Sequence, residues 1–446
     1  MLPPAAPHVM PVQVSSGIRR RVASKVSRCG LLSRTRPLNR VRSMVRPIAV
    51  LVVGASAWQA ISAQQDSVPI RVLDRIVATA PDSIRLLGGM RALSDGRVIV
   101  NDAGSLRVDI LDAQLRRTGA VVFDTAGAAL RRPGAQGGLL TAYRGDTSLW
   151  LDFGAGAIVV LDPAGASARV IAMPSGVDRT VMGVNNPPAV DPQGRLIYRR
   201  PATKRTAQRP GGSGLGAARS DSAFLVRVDV STRRVDTIAY LRDDYSQADR
   251  AEYLVIGANG AAIGMYSAID PLPVADGWAV LTSGAVGIVR AHDYHVDWIQ
   301  EDGSITASAP VPWLWHRLTD SAKVALIGAL RAKADTVTLQ YGRTRVKGPH
   351  PQYVEPDVLP DYASPFVATG VVADRDDHLW IPLTPGSQPA GGAVYDVLDR
   401  SGSRVDRVQI PGGTKIAGFG PGFVFVTDRV RPNRVSLVKV ALAWKR

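Results

Sequence analysis

Short stretches of alternating apolar and polar residues repeat along the chain from Gly89 to Trp444. Each repeat contains a β-branched or alternating strand, a tight turn with Asp or Gly, a second strand that ends in polar residues, and two further strands joined by another turn. The first copy reads GMRALS, DG, RVIVND, RVDILD, AQ and a strand ending GAVVF. Alternation with a period of two, interrupted by turn residues at this spacing, predicts antiparallel β-strands.

Six copies of this unit are visible, and the last lacks one strand. In the fourth copy we assign Pro271–Val274 (PLPV) and Trp278–Gly284 (WAVLTSG) as the first and second strands. Six four-stranded antiparallel units predict an all-β, six-bladed β-propeller, in which each blade packs against its two neighbours. The spare segment Pro69–Val77 (PIRVLDRIV) precedes the first copy, and we expect it to complete the last blade and close the ring.

The strands SDGRVIVND, DPQGRLIYR and DDHLWIPLT are each followed by a strand ending VDILD, VRVD or YDVLD. They resemble the NHL-repeat and related six-bladed propellers of secreted bacterial proteins. The resemblance covers about Val68 to Trp444 and implies a single propeller domain within residues 64–446. It does not imply one function, since propellers of this class serve as binding modules, lactonases and quinoprotein dehydrogenases.

Residues 1–63 form a predicted leader. Within it, residues 44–63 (MVRPIAVLVVGASAWQAISA) combine a basic start, an apolar stretch and small residues, as in a secretory signal peptide. We therefore expect a periplasmic or secreted protein that is cleaved near Ala63 and starts at Met44; a long basic n-region is the alternative. No later apolar segment is long enough to span a bilayer. The only cysteine, Cys29, lies in the leader, so no thiol chemistry is expected after cleavage.

The net charge of +16 is concentrated in the same leader. Ten of the 54 Lys and Arg residues, from Arg19 to Arg46, precede the first acidic residue, Asp66. The remaining 44 basic residues face 38 acidic ones, so the propeller itself is only mildly basic. We therefore expect no nucleic-acid partner, and we expect a monomer.

The long insertions share one predicted face of the propeller. Turns between first and second strands, and between third and fourth strands, lie on one side and are short, including Asp276-Gly277; we call this side the short-turn face. Insertions 201–221, 242–270 and 313–363 belong to the opposite side, the long-loop face, which favours a functional role over neutral insertion. The sequence TDSAKVALIGALRAKAD, with Thr319 or Asp320 as N-cap, predicts a helix that is either a lid or a packing element.

Polar residues at the ends of second strands are expected to reach the long-loop face near the axis. Two tryptophans of insertion 313–363 could stack on a sugar or peptide there, or pack the core of the helical insertion. The predicted ligand site consists of Asn101, Asp102, Asp152, Tyr198, Arg199, Thr384, Asp428, Trp313 and Trp315, with Thr282 in an equivalent position.

Two arrangements of these residues suggest a metal. Asn101 and the three Asp residues of this set could bind Ca²⁺ through oxygen ligands, or the carboxylates could cap turns. A Ca²⁺ site would resemble gluconolactonase-type propellers, in which Glu, Asn and Asp bind a divalent ion that polarises a lactone carbonyl; a matching Glu is missing here. His292 and His295, near Asp293 and Asp297, form the densest ionisable cluster and are either zinc ligands or ordinary strand and loop residues.

The strong catalytic motifs G-x-x-x-x-G-K-[ST], H-E-x-x-H and G-x-S-x-G are absent from the sequence. We therefore predict a non-enzymatic propeller without catalytic residues or cofactor, which binds a protein, peptide or glycan through the long-loop face. A metal-dependent, lactonase-like hydrolase with a divalent ion at the axial mouth is the alternative. A sensor-like ligand binder is a third interpretation.

Overall fold

The computed structural model describes residues 9–11, 68–121, 138–175, 177, 182, 187–203, 219–243, 252–256, 262–334, 338–341, 344–347, 352–384, 391–431 and 434–442. The chain divides into two compact units, which consist of residues 1–65 with 251–267 and of residues 66–250 with 268–446. The smaller unit contains a three-stranded antiparallel sheet made of Val9–Pro11, Glu252–Ile256 and Ala262–Ser267. The predicted signal peptide lies outside the described residues.

The larger unit is a six-bladed propeller, as predicted, with four antiparallel strands in sequence order in most blades. Blade 1 has Leu87–Ala92, Val98–Asp102, Arg107–Leu111 and Arg117–Ala120; blade 2 has Leu139–Ala142, Ser148–Asp152, Ala157–Leu161 and Ser167–Ala172. Blade 3 has Ala189–Val190, Leu196–Thr203, Arg219–Val228 and Val235–Arg242; blade 4 has Gly277–Val280, Val286–Arg290, His295–Ile299 and Ile305–Ala307. Blade 5 has Val372–Ala373, Leu379–Pro382, Val394–Leu398 and Arg404–Gln409; blade 6 has Lys415–Gly420, Phe423–Arg431 and Arg434–Ala441.

The N-terminal segment closes the ring. Ile76–Thr79 pairs with Arg434–Ala441 as the fourth strand of blade 6, which confirms the prediction. Ile70–Val72 pairs in parallel with Arg404–Gln409 and adds a fifth strand to blade 5. The spare segment therefore forms two strands that tie neighbouring blades together and cover the outer edges of both.

Apolar residues fill the gaps between neighbouring blades. Ile197, Leu225 and Ile288 are almost fully buried between blades 3 and 4, whereas Val289 and Leu379 are buried between blades 4 and 5. Consecutive residues of a strand point to opposite faces, so Ile288 and Val289 contact different blades. By the same alternation, Arg290 lies on the face of blade 4 that contacts blade 3.

The strands of blade 4 are shifted from the predicted positions. The segment Pro271–Val274 lies before the sheet, and its two prolines lack the N–H groups that a strand donates to its neighbours. Gly277–Val280 is therefore the first strand instead of part of the second, and Val286–Arg290 is the second. As a result, Thr282 lies in a turn at the short-turn face, and its prediction as a long-loop residue is wrong.

The predicted helix in insertion 313–363 is α1, Asp320–Ala334. Thr319 is its N-cap, since its Oγ1 accepts a hydrogen bond from the Ala322 N–H at 3.2 Å. Ile327 is 1% exposed and packs against Leu359 of the same insertion. The helix therefore packs against its own insertion, which fits the prediction of a packing element better than that of a lid.

The remaining insertions extend existing strands or form small elements. Insertion 313–363 also contains the hairpin Thr338–Tyr341 and Thr344–Lys347 and a 3-10 helix at Pro356–Val358; a second 3-10 helix, Ala368–Gly370, follows it. Insertion 201–221 continues the second and third strands of blade 3, and its residues 204–218 lie outside the described residues. No helix in the described part of the chain has the length and apolar character needed to cross a membrane.

Candidate functional site

The predicted ligand residues of blade 1, Asn101 and Asp102, form hydrogen bonds with different neighbours. Asn101 is fully buried, and its Nδ2 donates a hydrogen bond to the Gly138 carbonyl of blade 2 at 2.6 Å. The Asp102 carboxylate accepts hydrogen bonds from the Arg85 N–H and the Ser105 N–H, both at 3.1 Å. Because adjacent strand residues point to opposite faces, Asn101 and Asp102 do not converge on one ligand.

The other predicted residues near the axis lie on different blades. Asp152 accepts a hydrogen bond from the Ala155 N–H at 2.9 Å. It therefore caps a turn, the role given above as the alternative to binding Ca²⁺. Asp428 is exposed on blade 6, and the Thr384 hydroxyl donates to the Ser364 carbonyl at 2.6 Å. Tyr198 is fully buried between blades 2 and 3, since its position on the strand points it into that interface and away from a ligand.

The two predicted tryptophans pack against the core between blades 4 and 5. Trp313 and Trp315 are partly buried beside this cluster. The Trp313 ring meets the Tyr294 ring edge-on, with centroids 6.0 Å apart. This contact fits core packing, the alternative to an open stacking platform.

The described residues do not assemble the predicted divalent-ion site at the axial mouth. Asn101 Oδ1 and Asp102 Oδ2 are buried without a hydrogen-bond partner in the described part of the chain, but they lie on opposite faces of one strand. The described residues contain one group of acids and histidine whose possible ligand atoms all lie within 4.8 Å of one another. This group is Asp374, Asp376 and His378, in a turn of blade 5 at the short-turn face. Calcium therefore stays a prediction.

The fold brings Arg199 to the same interface as the predicted histidine cluster. Arg199 lies two residues after Ile197 on the second strand of blade 3 and therefore faces blade 4. Its guanidinium pairs with the Asp243 carboxylate. Asp243 is 1% exposed, and its Oδ2 has no hydrogen-bond partner among the residues that the structure describes.

Arg290 links two carboxylates at the same end of blade 4. Its Nη1 donates to Asp276 Oδ2 and its Nε donates to Asp297 Oδ2, both at 2.7 Å. Asp276 also accepts hydrogen bonds from the N–H groups of Arg242 at 2.8 Å and Ala291 at 3.0 Å. Burial lowers the pKa of Arg290, but its hydrogen bonds and charge attraction to the two carboxylates together raise it above its ordinary value.

His295 stands opposite Arg290 in the strand pairing, between two carboxylates. Its Nε2 lies 3.1 Å from Asp297 Oδ1 and its Nδ1 lies 2.7 Å from Asp293 Oδ1. Carboxylates only accept, so both contacts are hydrogen bonds when both ring nitrogens carry a proton. We name the series Asp276, Arg290, Asp297, His295 and Asp293 the charge chain. It runs from buried Asp276 to Asp293, whose side chain is 55% exposed.

Tyr294 anchors the loop that carries Asp293. It is fully buried with a positive φ of 50°, an uncommon and strained conformation for a residue other than glycine. Its hydroxyl donates to Asp396 Oδ2 of blade 5 at 2.8 Å, and Asp396 is also paired with Arg407 and Arg404 at 2.9 and 3.0 Å. Burial, followed by the Asp396 charge, raises the pKa of Tyr294 well above its ordinary value. The loop is therefore fixed to the next blade.

The sequence indicated the histidine end of the charge chain but did not indicate the other end, Asp276. The density of His and Asp at residues 292–297 indicated the cluster, although His292 is exposed and the two carboxylates already occupy both nitrogens of His295. Asp276 was predicted to form a short turn with Gly277. It precedes the first strand instead, because the strands of blade 4 are shifted. An Asp-Gly pair is a signal for a turn, and no sequence signal marks its pairing with Arg290.

No protein-family model and no curated protein matches the chain. Solved structures with a similar fold include the calcium-binding protein regucalcin from Agrobacterium tumefaciens, with 11% identity, a TM-score of 0.39, and coverage of 84% of this chain and 98% of that chain. A gluconolactonase from Xanthomonas campestris has 11% identity, a TM-score of 0.38, and coverage of 82% and 94%. A virginiamycin B lyase from Staphylococcus aureus has 10% identity, a TM-score of 0.35, and coverage of 83% and 98%.

These similarities concern the fold, and they correct one prediction. The interpretation of the chain as a non-enzymatic binding propeller is contradicted, because the similar structures include proteins named as a gluconolactonase, a lyase and a luciferin-regenerating enzyme. Absence of short catalytic motifs does not argue against an enzyme in this fold, since a propeller draws its side chains from several blades that are distant in sequence.

Proposed function

We propose that the chain is a hydrolase that cleaves lactones or esters, with His295 as its general acid and base at the long-loop face of blade 4. The observation that carries this proposal is the position of His295 in the charge chain. Asp297 holds Nε2 at 3.1 Å and is itself held by Arg290, while Nδ1 points to the exposed carboxylate of Asp293. A histidine oriented by a carboxylate that is itself hydrogen-bonded is a recurrent acid and base unit.

The charge chain supports a simple hydrolytic sequence. With Nε2–H donated to Asp297, Nδ1 is the nitrogen that exchanges protons once Asp293 moves aside. Nδ1 takes a proton from water as the water oxygen forms a bond to the substrate carbonyl carbon. The bond from this carbon to the leaving oxygen then breaks, and Nδ1–H returns its proton to that oxygen. One water is consumed, and a lactone yields a hydroxy acid.

The charge of the interface favours a neutral substrate. Two guanidinium groups, those of Arg199 and Arg290, face a larger number of carboxylates. The carboxylates are Asp243, Asp276, Asp293 and Asp297. The excess negative charge would repel an anionic substrate, whereas the ester group of a lactone or an open-chain ester carries no charge. The proposed reaction class is that of the hydrolase alternative derived from the sequence, although that alternative relied on a divalent ion at the axial mouth instead of His295.

The test compares His295→Gln with His378→Gln in the full chain, by measuring acid release from a panel of neutral lactones and esters. His378 is the matched control, because its Nδ1 also contacts an Asp, Asp374, at 3.1 Å, but at the short-turn face. We expect His295→Gln to lower kcat by roughly 10²–10⁴-fold and His378→Gln to leave it unchanged.

Three outcomes would contradict this proposal. The native chain could hydrolyse none of the substrates, the two variants could have equal activity, or a chelator could abolish activity that Ca²⁺ then restores. The last result would favour the metal-dependent alternative. Activity that persists in the chelator, together with the His295 effect, supports the acid and base route.

We also propose that the propeller is exported and belongs to the NHL-like class. Support comes from the signal-peptide pattern of residues 44–63 and from the repeated strand motifs. The lack of cysteine after Cys29 is compatible with an oxidising compartment, since no free thiol would be exposed there.

A further inference from the structure

Three arginines connect the blades at the short-turn face, away from the charge chain. Each guanidinium donates to a backbone carbonyl of another blade. Arg91 donates to Gly145, Arg144 donates to Gln193, and Arg375 donates to Ala92 at 2.6 Å. These contacts join first strands and their turns, which lie closest to the propeller axis.

Arg375 reaches across more of the ring than the other two. It lies in a turn of blade 5 and contacts blade 1, and blade 6 stands between these blades in the ring. Its acceptor, Ala92, directly follows Arg91 on the first strand of blade 1. Arg375 is therefore close enough to Arg91 for the two positive charges to interact at the short-turn face.

The positive charge of Arg91 is poorly compensated. Its side chain is 14% exposed, and its Nε is buried without a hydrogen-bond partner among the described residues. The carboxylate paired with it, Asp146, is 4.0 Å away and already accepts hydrogen bonds from the Ser94 N–H at 3.0 and 3.1 Å. Burial lowers the pKa of Arg91, the charge of Arg375 lowers it further, and Asp146 opposes both.

The turn of Arg375 contains three acidic residues, Asp374, Asp376 and Asp377, and the last of them is held by the neighbouring blade. Asp377 Oδ1 accepts a hydrogen bond from the Thr282 hydroxyl at 2.5 Å and another from the Ser283 N–H at 3.2 Å. Its second oxygen lies 4.0 Å from Arg400. Asp377 thus links blades 4 and 5 and has its own cationic partner. A guanidinium has five N–H donors, so one carbonyl bond leaves most of those of Arg91 and Arg375 available.

We propose that Arg91 and Arg375 bind a small oxyanion, a phosphate or a carboxylate, at the short-turn end of the propeller axis. Oxyanions suit this place because the planar guanidinium donates two parallel hydrogen bonds to phosphate or carboxylate oxygens. A bound anion would bridge blades 1 and 5 and neutralise two like charges, so it stabilises the ring. This site is independent of the proposed hydrolase.

The test measures thermal unfolding and calorimetric binding of the full chain at constant ionic strength. Inorganic phosphate and malonate are the two probes, with chloride as the reference. We expect a saturable increase in Tm of about 2–4 °C with at least one probe. Arg375→Gln should remove this increase and weaken binding at least about tenfold. Arg116→Gln is the control, because Arg116 is an exposed partner of Asp112 in an outer turn of blade 1, and it should keep the increase.

A larger response to phosphate than to malonate would identify phosphate as the preferred class, and the reverse would identify a carboxylate. General salting effects of phosphate act on all variants alike. The proposal is overturned if neither probe raises Tm above chloride, or if both Arg375→Gln and Arg91→Gln keep the increase.

Discussion

Carboxylates at the two ends of the propeller have different partners. Some at the short-turn face bind the backbone of their own turns: Asp399 Oδ1 accepts from the N–H groups of Ser401 at 2.8 Å and Ser403 at 3.0 Å. Toward the long-loop face of blades 4 and 5 they bind side chains from other strands, as Asp396 binds Tyr294, 102 residues away in sequence. Asp399 is thus supported by its own turn, whereas Asp396 is supported by the tertiary fold.

This difference distinguishes aspartates that cap turns from aspartates whose ion pairs are suited to a functional site. A turn carboxylate is satisfied by four or five consecutive residues and is mostly exposed, so its loss costs little. A buried carboxylate with cationic partners leaves an uncompensated charge when either side is removed. The charge chain contains a buried carboxylate with a cationic partner and also reaches solvent at Asp293. Turn carboxylates such as Asp399 do not have both features.

The largest effect is expected from removing the negative charge of Asp396. Asp396→Asn leaves the buried guanidinium groups of Arg404 and Arg407 without their carboxylate, at a cost of about 3–5 kcal/mol in the free energy of unfolding. Asp399→Asn, three residues later, keeps an acceptor for its turn and should change stability by about 0.5 kcal/mol or less. Equilibrium urea denaturation of both variants measures the difference, and equal losses would contradict the comparison.

A smaller effect is expected from Arg290→Gln, compared with Arg195→Gln. Both arginines donate Nε to an Asp at 2.7 Å, but Arg290 binds Asp297 of the next strand, whereas Arg195 binds Asp191 of its own turn. Arg290→Gln leaves two carboxylates of the charge chain without a cation and should cost about 2 kcal/mol, since Asp276 keeps its backbone donors.

Arg195→Gln should cost about 1 kcal/mol or less, because Asp191 keeps the Arg195 N–H at 2.9 Å. Thermal unfolding of the two variants at neutral pH tests this. If Arg195→Gln proves the more damaging, support within a turn is as important as support across blades.

The local part of this structure was predictable from sequence, and the tertiary part was not. Alternation and turn residues predicted the blades, and the spare segment Pro69–Val77 predicted ring closure, because each signal lies within a few residues. The shift in blade 4 arose because PLPV looks like a strand until its missing N–H groups are counted. Partners such as Arg290 and Asp276 depend on strand register, so composition and spacing alone did not reveal them.

The smallest effect concerns a turn carboxylate whose protonation should be visible in acid. Asp229 Oδ1 accepts from the Ser231 hydroxyl at 2.6 Å and from the N–H groups of Ser231 and Thr232. These bonds, the Ser231 hydroxyl first, lower the pKa of Asp229 from 3.8 to about 2. A carboxyl with a lowered pKa in the folded state stabilises the protein above pH 3.8, and this contribution is lost as the pH falls through about 2.

Asp229→Asn should therefore flatten the dependence of Tm on pH between about pH 4 and 2, by about 1 °C or less for this exposed side chain. Ser231→Ala should flatten it in part, since it removes the largest cause of the low pKa and leaves the carboxyl ionisable. An unchanged slope in Asp229→Asn would contradict this assignment. The acid sensitivity of the propeller would then have its source outside this turn.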